Sequence, residues 1–384
     1  MPQYHKLGSI PHKRHTQFRK PDGTLYQEEL VSTEGFSSIY SLVYHTHPPT
    51  RVKEIGEAWD VSPKAAIQKN LQCRSFLTFN TVPADDFLKS RKVLLFNNDL
   101  YIAAAAPKKS MTDYFYKNAD ADEVIFVHEG SGTFKSIYGK IDFEYGDYIV
   151  IPRGTIYQLE FAGENNRLMI TESFSPIRPP KRYLNTYGQF LEHSPYCERD
   201  IKLPHNLETF DLEGDFKVLI KKQDMIFPYT YANHPFDAIG WDGYQYPYGF
   251  SIHNYEPITG RVHMPPPIHQ TFEGHNFVIC SFVPRMYDYH PQSIPAPYAH
   301  SNVDSDEILY YVDGEFMSRK HVERGMISLH PKGIPHGPHP GTVEKSIGQK
   351  ETKELAVMID PFYPLQITED AMKVEDPGYY KTWI

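Results

Sequence analysis

No stretch of this 384-residue chain holds enough apolar residues in a row to cross a bilayer as a helix. The opening residues, Met1-Pro2-Gln3-Tyr4-His5-Lys6, also lack the apolar core of a signal peptide. A sustained basic face is missing as well. Net charge is −9, and the densest basic patch, His12-Lys13-Arg14-His15 with Arg19 and Lys20, is short. That argues against a nucleic-acid surface and leaves a solvated loop or a subunit contact. Cysteine is scarce: Cys73, Cys197 and Cys280 stand far apart with no C-x-x-C pair, the pattern of free thiols in a reducing compartment. The expectation is a soluble, cytoplasmic protein that neither enters membranes nor binds nucleic acid.

Helical periodicity is nearly absent too. Pro63–Gln72 is the best helix candidate, with single turns expected at Tyr183–Leu191 and after Thr368. What the chain does have is 32 Pro, 28 Tyr, 23 Phe and 19 His. Much proline and aromatic residue with few long apolar runs predicts short strands joined by turns, an all-β protein. Strands are expected at Lys92–Phe96, Leu100–Ala104, Glu123–His128, Asp147–Ile151, Ile156–Phe161 and Asn166–Glu172. Further on they are expected at Phe277–Val283, Glu307–Val312, Met326–His330 and Leu355–Ile359.

A weak internal repeat orders these strands. Glu307 is followed by Gly314, and then by Gly325, Pro331 and Gly333. Glu123 is followed at the same spacing by Gly130, and then by Gly146, Pro152 and Gly154. These two copies resemble the paired motifs of the cupin superfamily, in which glycines open tight turns and histidines and a glutamate point into a barrel mouth. The fold implied is a bicupin of double-stranded β-helix (jelly-roll) barrels with few short helices. The expected division is 1–240, holding a degenerate barrel near 96–175, and 241–384, a catalytic barrel with a tail.

The C-terminal copy carries donors. His300 and Glu307 fall at the first motif's histidine and glutamate, Asn302 takes the place of its second histidine, and His336 completes the second motif. Two imidazoles and one carboxylate make the donor set of non-haem iron(II) oxygenases, which leaves coordination positions for substrate and dioxygen. Iron(II) is therefore the expected metal, without exclusion of other divalent ions. In the N-terminal copy Tyr116 and Tyr157 replace the histidines and only Glu123 remains, so that barrel is expected to be structural and metal-free. His45-Thr46-His47 looks like a metal pair but has no third ligand at a known spacing; it is read as packing or surface.

Beyond this grammar, the chain resembles the homogentisate 1,2-dioxygenase family along most of its length. The resemblance rests on the opening Tyr4–Phe18, on Pro297-Tyr-Ala-His300-Ser-Asn302, and on Ser328-Leu-His330 followed by Pro335-His336-Gly-Pro. The closing Pro377-Gly-Tyr-Tyr-Lys-Thr-Trp383 adds to it. It implies iron(II)-dependent ring cleavage of homogentisate by dioxygen to maleylacetoacetate, in tyrosine and phenylalanine breakdown, by a homo-oligomer. His263 fits the family's base position, with His269 as the rival. His330, His336, Phe316 and His269 are the substrate contacts it implies. The chain departs from longer members in one extra residue between His300 and Glu307, in Ser301 for an arginine, and in Phe316 for a tyrosine. Polar pocket contacts decide discrimination, so the aromatic acid stays open. The alternatives are a different dihydroxy-aromatic acid, a metal-dependent cupin isomerase, and a non-catalytic bicupin.

Overall fold

The computed structural model describes residues 3–316, 318–319 and 321–384. All of the expected strands form. Lys92–Phe96, Asp147–Ile151, Ile156–Phe161 and Met326–His330 keep the expected bounds, and the others shift by a residue or two at an end. The repeat glycines Gly130, Gly146, Gly154, Gly314, Gly325 and Gly333 all sit at positive φ, so both copies turn as their spacing implies.

The helix expected over Pro63–Gln72 is absent. That segment has no regular structure, touches the sheets through one bridge between Ala65 and Thr368, and leaves Ile67 and Leu71 90% and 73% exposed. With no face to bury, its periodicity has nothing to pack against, and a lone short helix is not stable in water. The expected turn at Tyr183–Leu191 reduces to the 3-10 turn Lys181–Tyr183 and a bridge between Leu184 and Phe190. The turn after Thr368 does form, as Glu369–Met372, capped by the Thr368 hydroxyl, which accepts from the Ala371 amide at 3.1 Å.

The fold is an all-β bicupin. Its N-terminal barrel is two facing eight-stranded sheets, one centred on Asp122–Glu129, Asp147–Ile151 and Arg167–Ser173, the other on Phe115–Asn118, Ile156–Phe161 and Glu213–Lys222. Between them lie Ile125, Ile149 and Ile170 from the first sheet against Phe134, Tyr157 and Leu219 from the second. The first sheet's other face packs on the C-terminal seven-stranded sheet, where Tyr148 meets Phe272 and Phe126 meets Tyr310. A strand covered on both faces reads as a nearly unbroken apolar run, as Asp122–Glu129 does.

The C-terminal sheet runs Gln270–Gly274, Phe277–Phe282, Leu355–Pro361, Glu307–Asp313, Met326–His330, Arg74–Leu77, Glu375–Asp376. Strands therefore cross residue 240 in both directions. Arg74–Leu77 joins the C-terminal sheet, while Tyr248–Ser251 and Gln366–Ile367 join the N-terminal barrel. No helix among the described residues is long and apolar enough to cross a membrane.

Candidate metal centre

Glu307 opens its strand, and His330 ends the neighbouring strand directly opposite it. His300 and His336 lie on the two loops that close the barrel mouth. They face each other as a backbone pair, each amide donating to the other's carbonyl at 2.8 and 2.9 Å. Together these pairings bring one donor atom from each of His300, Glu307 and His336 within 4.8 Å of one another.

The imidazoles are aimed as well as gathered. His300 Nδ1 lies 3.2 Å from the Tyr298 carbonyl and His336 Nδ1 2.9 Å from that of Ile334, so each Nδ1–H donates to backbone. Both Nε2 lone pairs are thereby turned toward Glu307, at 3.2 Å from Oε2 and 3.5 Å from Oε1. His336 Nε2 is buried without a hydrogen bond among the described residues. A buried acceptor left without a donor, beside a second imidazole and a carboxylate, fits a divalent cation.

Burial opposes ionisation of Glu307, but the contacts with His300, His330 and His336 prevail and hold it well below the usual carboxylate range. His300 is raised by the same carboxylate. His330 is pushed down to about 4 by burial, so it is neutral. The Tyr379 hydroxyl then donates to His330 Nε2 at 3.0 Å, and His330 Nδ1–H donates to Glu307 Oε1 at 2.8 Å. This relay fixes the carboxylate.

A cavity of about 390 Å³ opens onto His300 and Glu307. His263, His269 and Phe316 line it; His330 and His336 do not. His330 sits behind Glu307 with both nitrogens engaged, so it supports the carboxylate instead of reaching the cavity. His263 is half-exposed, 3.7 Å from Asp288 Oδ2, with Tyr298 across its ring. His269 is buried against Phe282, its Nδ1 without a hydrogen bond among the described residues, and burial pushes it down to about 3. Phe316 stands edge-on to Tyr311.

Sequence reasoning missed Arg285, Arg319, Asp288 and Asp360 on the same wall. The Asp360 carboxyl is pushed well above its usual range by burial and then by the Glu307 charge. Only Tyr379, in the quoted tail, carried a signal. His45 is no ligand: its ring is clasped by Asp237 Oδ1 at 2.7 Å and Glu29 Oε2 at 3.1 Å. Cys73, Cys197 and Cys280 are free.

The family model described as homogentisate 1,2-dioxygenase N-terminal matches residues 91–252. A protein of Saccharolobus solfataricus, provisionally named a dioxygenase, is 43% identical over 99% of this chain and 98% of its own length. The chain belongs to the homogentisate 1,2-dioxygenase family. Another member, the homogentisate 1,2-dioxygenase of Bradyrhizobium diazoefficiens, is 27% identical over 68% of this chain, and the match spans 60% of that enzyme's length. A solved cupin 2 conserved barrel domain protein from Leptotrichia buccalis is 12% identical over 78% of this chain, with a TM-score of 0.33. At that score the architecture rests on the strand order above. A dioxygenase family of the cupin type suggests a metal cofactor, and the His300–Glu307–His336 cluster could hold one.

Proposed function

We propose that the protein is an iron(II)-dependent ring-cleaving dioxygenase that converts homogentisate and dioxygen to maleylacetoacetate, with His300, Glu307 and His336 as the metal ligands. The observation that carries this reading is the cluster of two Nε2 atoms and one carboxylate at the edge of a cavity with two further histidines. His300, Glu307 and His336 would hold iron(II), which would supply a Lewis acid to lower the pKa of the substrate's ring hydroxyl and positions open to substrate and dioxygen. The chain's own residues do the rest. Arg319 and Arg285, the latter paired with Glu354, supply the guanidinium groups that receive the substrate's carboxylate. His263 takes the hydroxyl proton, with Asp288 placed to support the imidazolium that results. His269, held neutral by burial, accepts a hydrogen bond through its Nδ1 and is the weaker base. His330 positions Glu307 through its Nδ1–H.

Oxygen uptake by iron(II)-loaded protein supplied with homogentisate tests the reading. About one dioxygen per substrate, lost on chelation, is the expected result. Iron bound without uptake removes homogentisate as the substrate. Phe316 in the cavity wall favours one second reading, a different dihydroxy-aromatic acid, because a phenyl ring offers no hydroxyl to a polar substituent.

A further inference from the structure

The barrel without the ligand histidines is not filled. Its mouth holds a cavity of about 780 Å³, twice that at the metal centre and within the roughly 300–1,000 Å³ of small-molecule sites. The strap that includes Trp59 and Lys64 forms one wall, and the capped helix Glu369–Met372 contributes to another.

At its floor the repeat has been rebuilt around a guanidinium. Tyr116 and Tyr157 face each other as a backbone pair, as His300 and His336 do in the other barrel. Arg91 lies between the carboxylates, Nη1 2.6 Å from Glu123 Oε1 and Nη2 2.6 Å from Glu172 Oε1. Lys221 Nζ reaches Glu172 Oε2 at 2.5 Å, Asn118 donates to the same oxygen at 2.9 Å, and the Tyr157 hydroxyl donates to Glu123 Oε2 at 2.9 Å. Two cations therefore balance two anions.

Two donors remain over. Tyr116 lines the cavity, its fully buried hydroxyl has no hydrogen-bond partner among the described residues, and Arg91 Nε is likewise unpaired. A buried donor left without an acceptor is destabilising, and a bound acceptor recovers that cost. The lining holds seven basic side chains against four acidic ones, and Lys92 and Lys217 make no ion pair among the described residues. Val93, Leu219 and Ile226 add an apolar wall.

We propose that the mouth of the N-terminal barrel binds a small organic acid, its carboxylate received by the Tyr116 hydroxyl and Arg91 Nε and its body lying on Val93, Leu219 and Ile226. The acceptor oxygens use the orphaned donors, and the surplus of lysines at the rim draws the anion in. Glu172 does not repel it strongly, since Arg91 and Lys221 already neutralise that carboxylate.

The probe is 3-fluorobenzoate, followed by fluorine NMR on the metal-loaded protein. Saturable binding is expected in the parent chain, unchanged in His336→Ala, and about tenfold weaker in Tyr116→Phe. Tyr116→Phe keeps the ring packed on Tyr157 and deletes an unpaired hydroxyl, so its melting temperature without probe should not fall. No binding up to about 10 mM overturns the proposal. So does binding that survives Tyr116→Phe but is lost in His336→Ala, which places the probe in the other cavity. Binding of inorganic phosphate with none of the benzoate overturns the carboxylate class.

Discussion

Each barrel sets two acidic side chains side by side on neighbouring strands. Glu123 stands opposite Glu172 in the N-terminal barrel. In the C-terminal barrel the pairing of Ile308 with Ile359, and the Asp306 amide on the Pro361 carbonyl, put Glu307 beside Asp360. The first pair is neutralised by Arg91 and Lys221. The second has no lysine or arginine ion pair among the described residues, only histidines around Glu307 and a Asp360 carboxyl driven toward its protonated form. Buried carboxylates need a compensating cation. A guanidinium supplies it permanently and makes a structural floor. A cluster with a buried, unsatisfied imidazole nitrogen instead offers a place for an exchangeable ion, and an exchangeable ion can do chemistry.

The difference is broken most completely by His336→Ala. Iron binding and oxygen uptake should both vanish while the chain stays folded, as metal analysis and circular dichroism would report. Full iron content in the variant would sink the ligand assignment. Arg91→Ala attacks the other barrel, leaving two buried carboxylates without their guanidinium. A loss of about 3–5 kcal/mol of unfolding free energy is expected, read from the urea midpoint, with no ligand of the C-terminal cluster touched. An unchanged midpoint would mean the network carries no net stability.

Acidification should undo the barrels in sequence. Protons compete with a metal for the imidazole nitrogens, so metal should leave first as pH falls. Glu172 is held down to about 2; burial opposes this, and Arg91 and Lys221 prevail. Its folded value lies below its unfolded value of about 4.3, so its stabilisation is complete above about pH 4.3 and fades as pH falls toward 2. Metal content and tryptophan fluorescence along one titration separate the steps, and simultaneous loss contradicts the scheme. The gentlest change makes the barrels more alike. Ile151 lies opposite Glu123 where His330 lies opposite Glu307. His330→Ile should weaken metal affinity by about 10–100-fold while leaving both imidazole ligands in place, measured by competition with a chelating dye.

The parts legible in the sequence are those that local geometry decides. A strand has a period of two and a left-handed turn wants glycine, so fixed spacings from Glu307 to Gly314 and from Gly325 to His336 reappear as ladder and loop. The same grammar exposed Tyr116 and Tyr157 as the replaced pair. The strands Glu213–Lys222 and Met225–Asn233 were not expected, because the first is rich in charged residues and the turn between them, Gln223-Asp224 at positive φ, carries no glycine.

Sequence alone thus determined the barrel type, the repeat, and which barrel keeps the histidines and glutamate, because each of these is written in spacings of a few residues. Only the tertiary structure decided what surrounds those residues. It brought Arg91 to Glu123 and Glu172, Tyr379 to His330, Asp360 beside Glu307, and left the Tyr116 hydroxyl without a partner among the described residues. Charge compensation and hydrogen-bond satisfaction act across space, between strands far apart in the chain. They exist only once the sheets have closed.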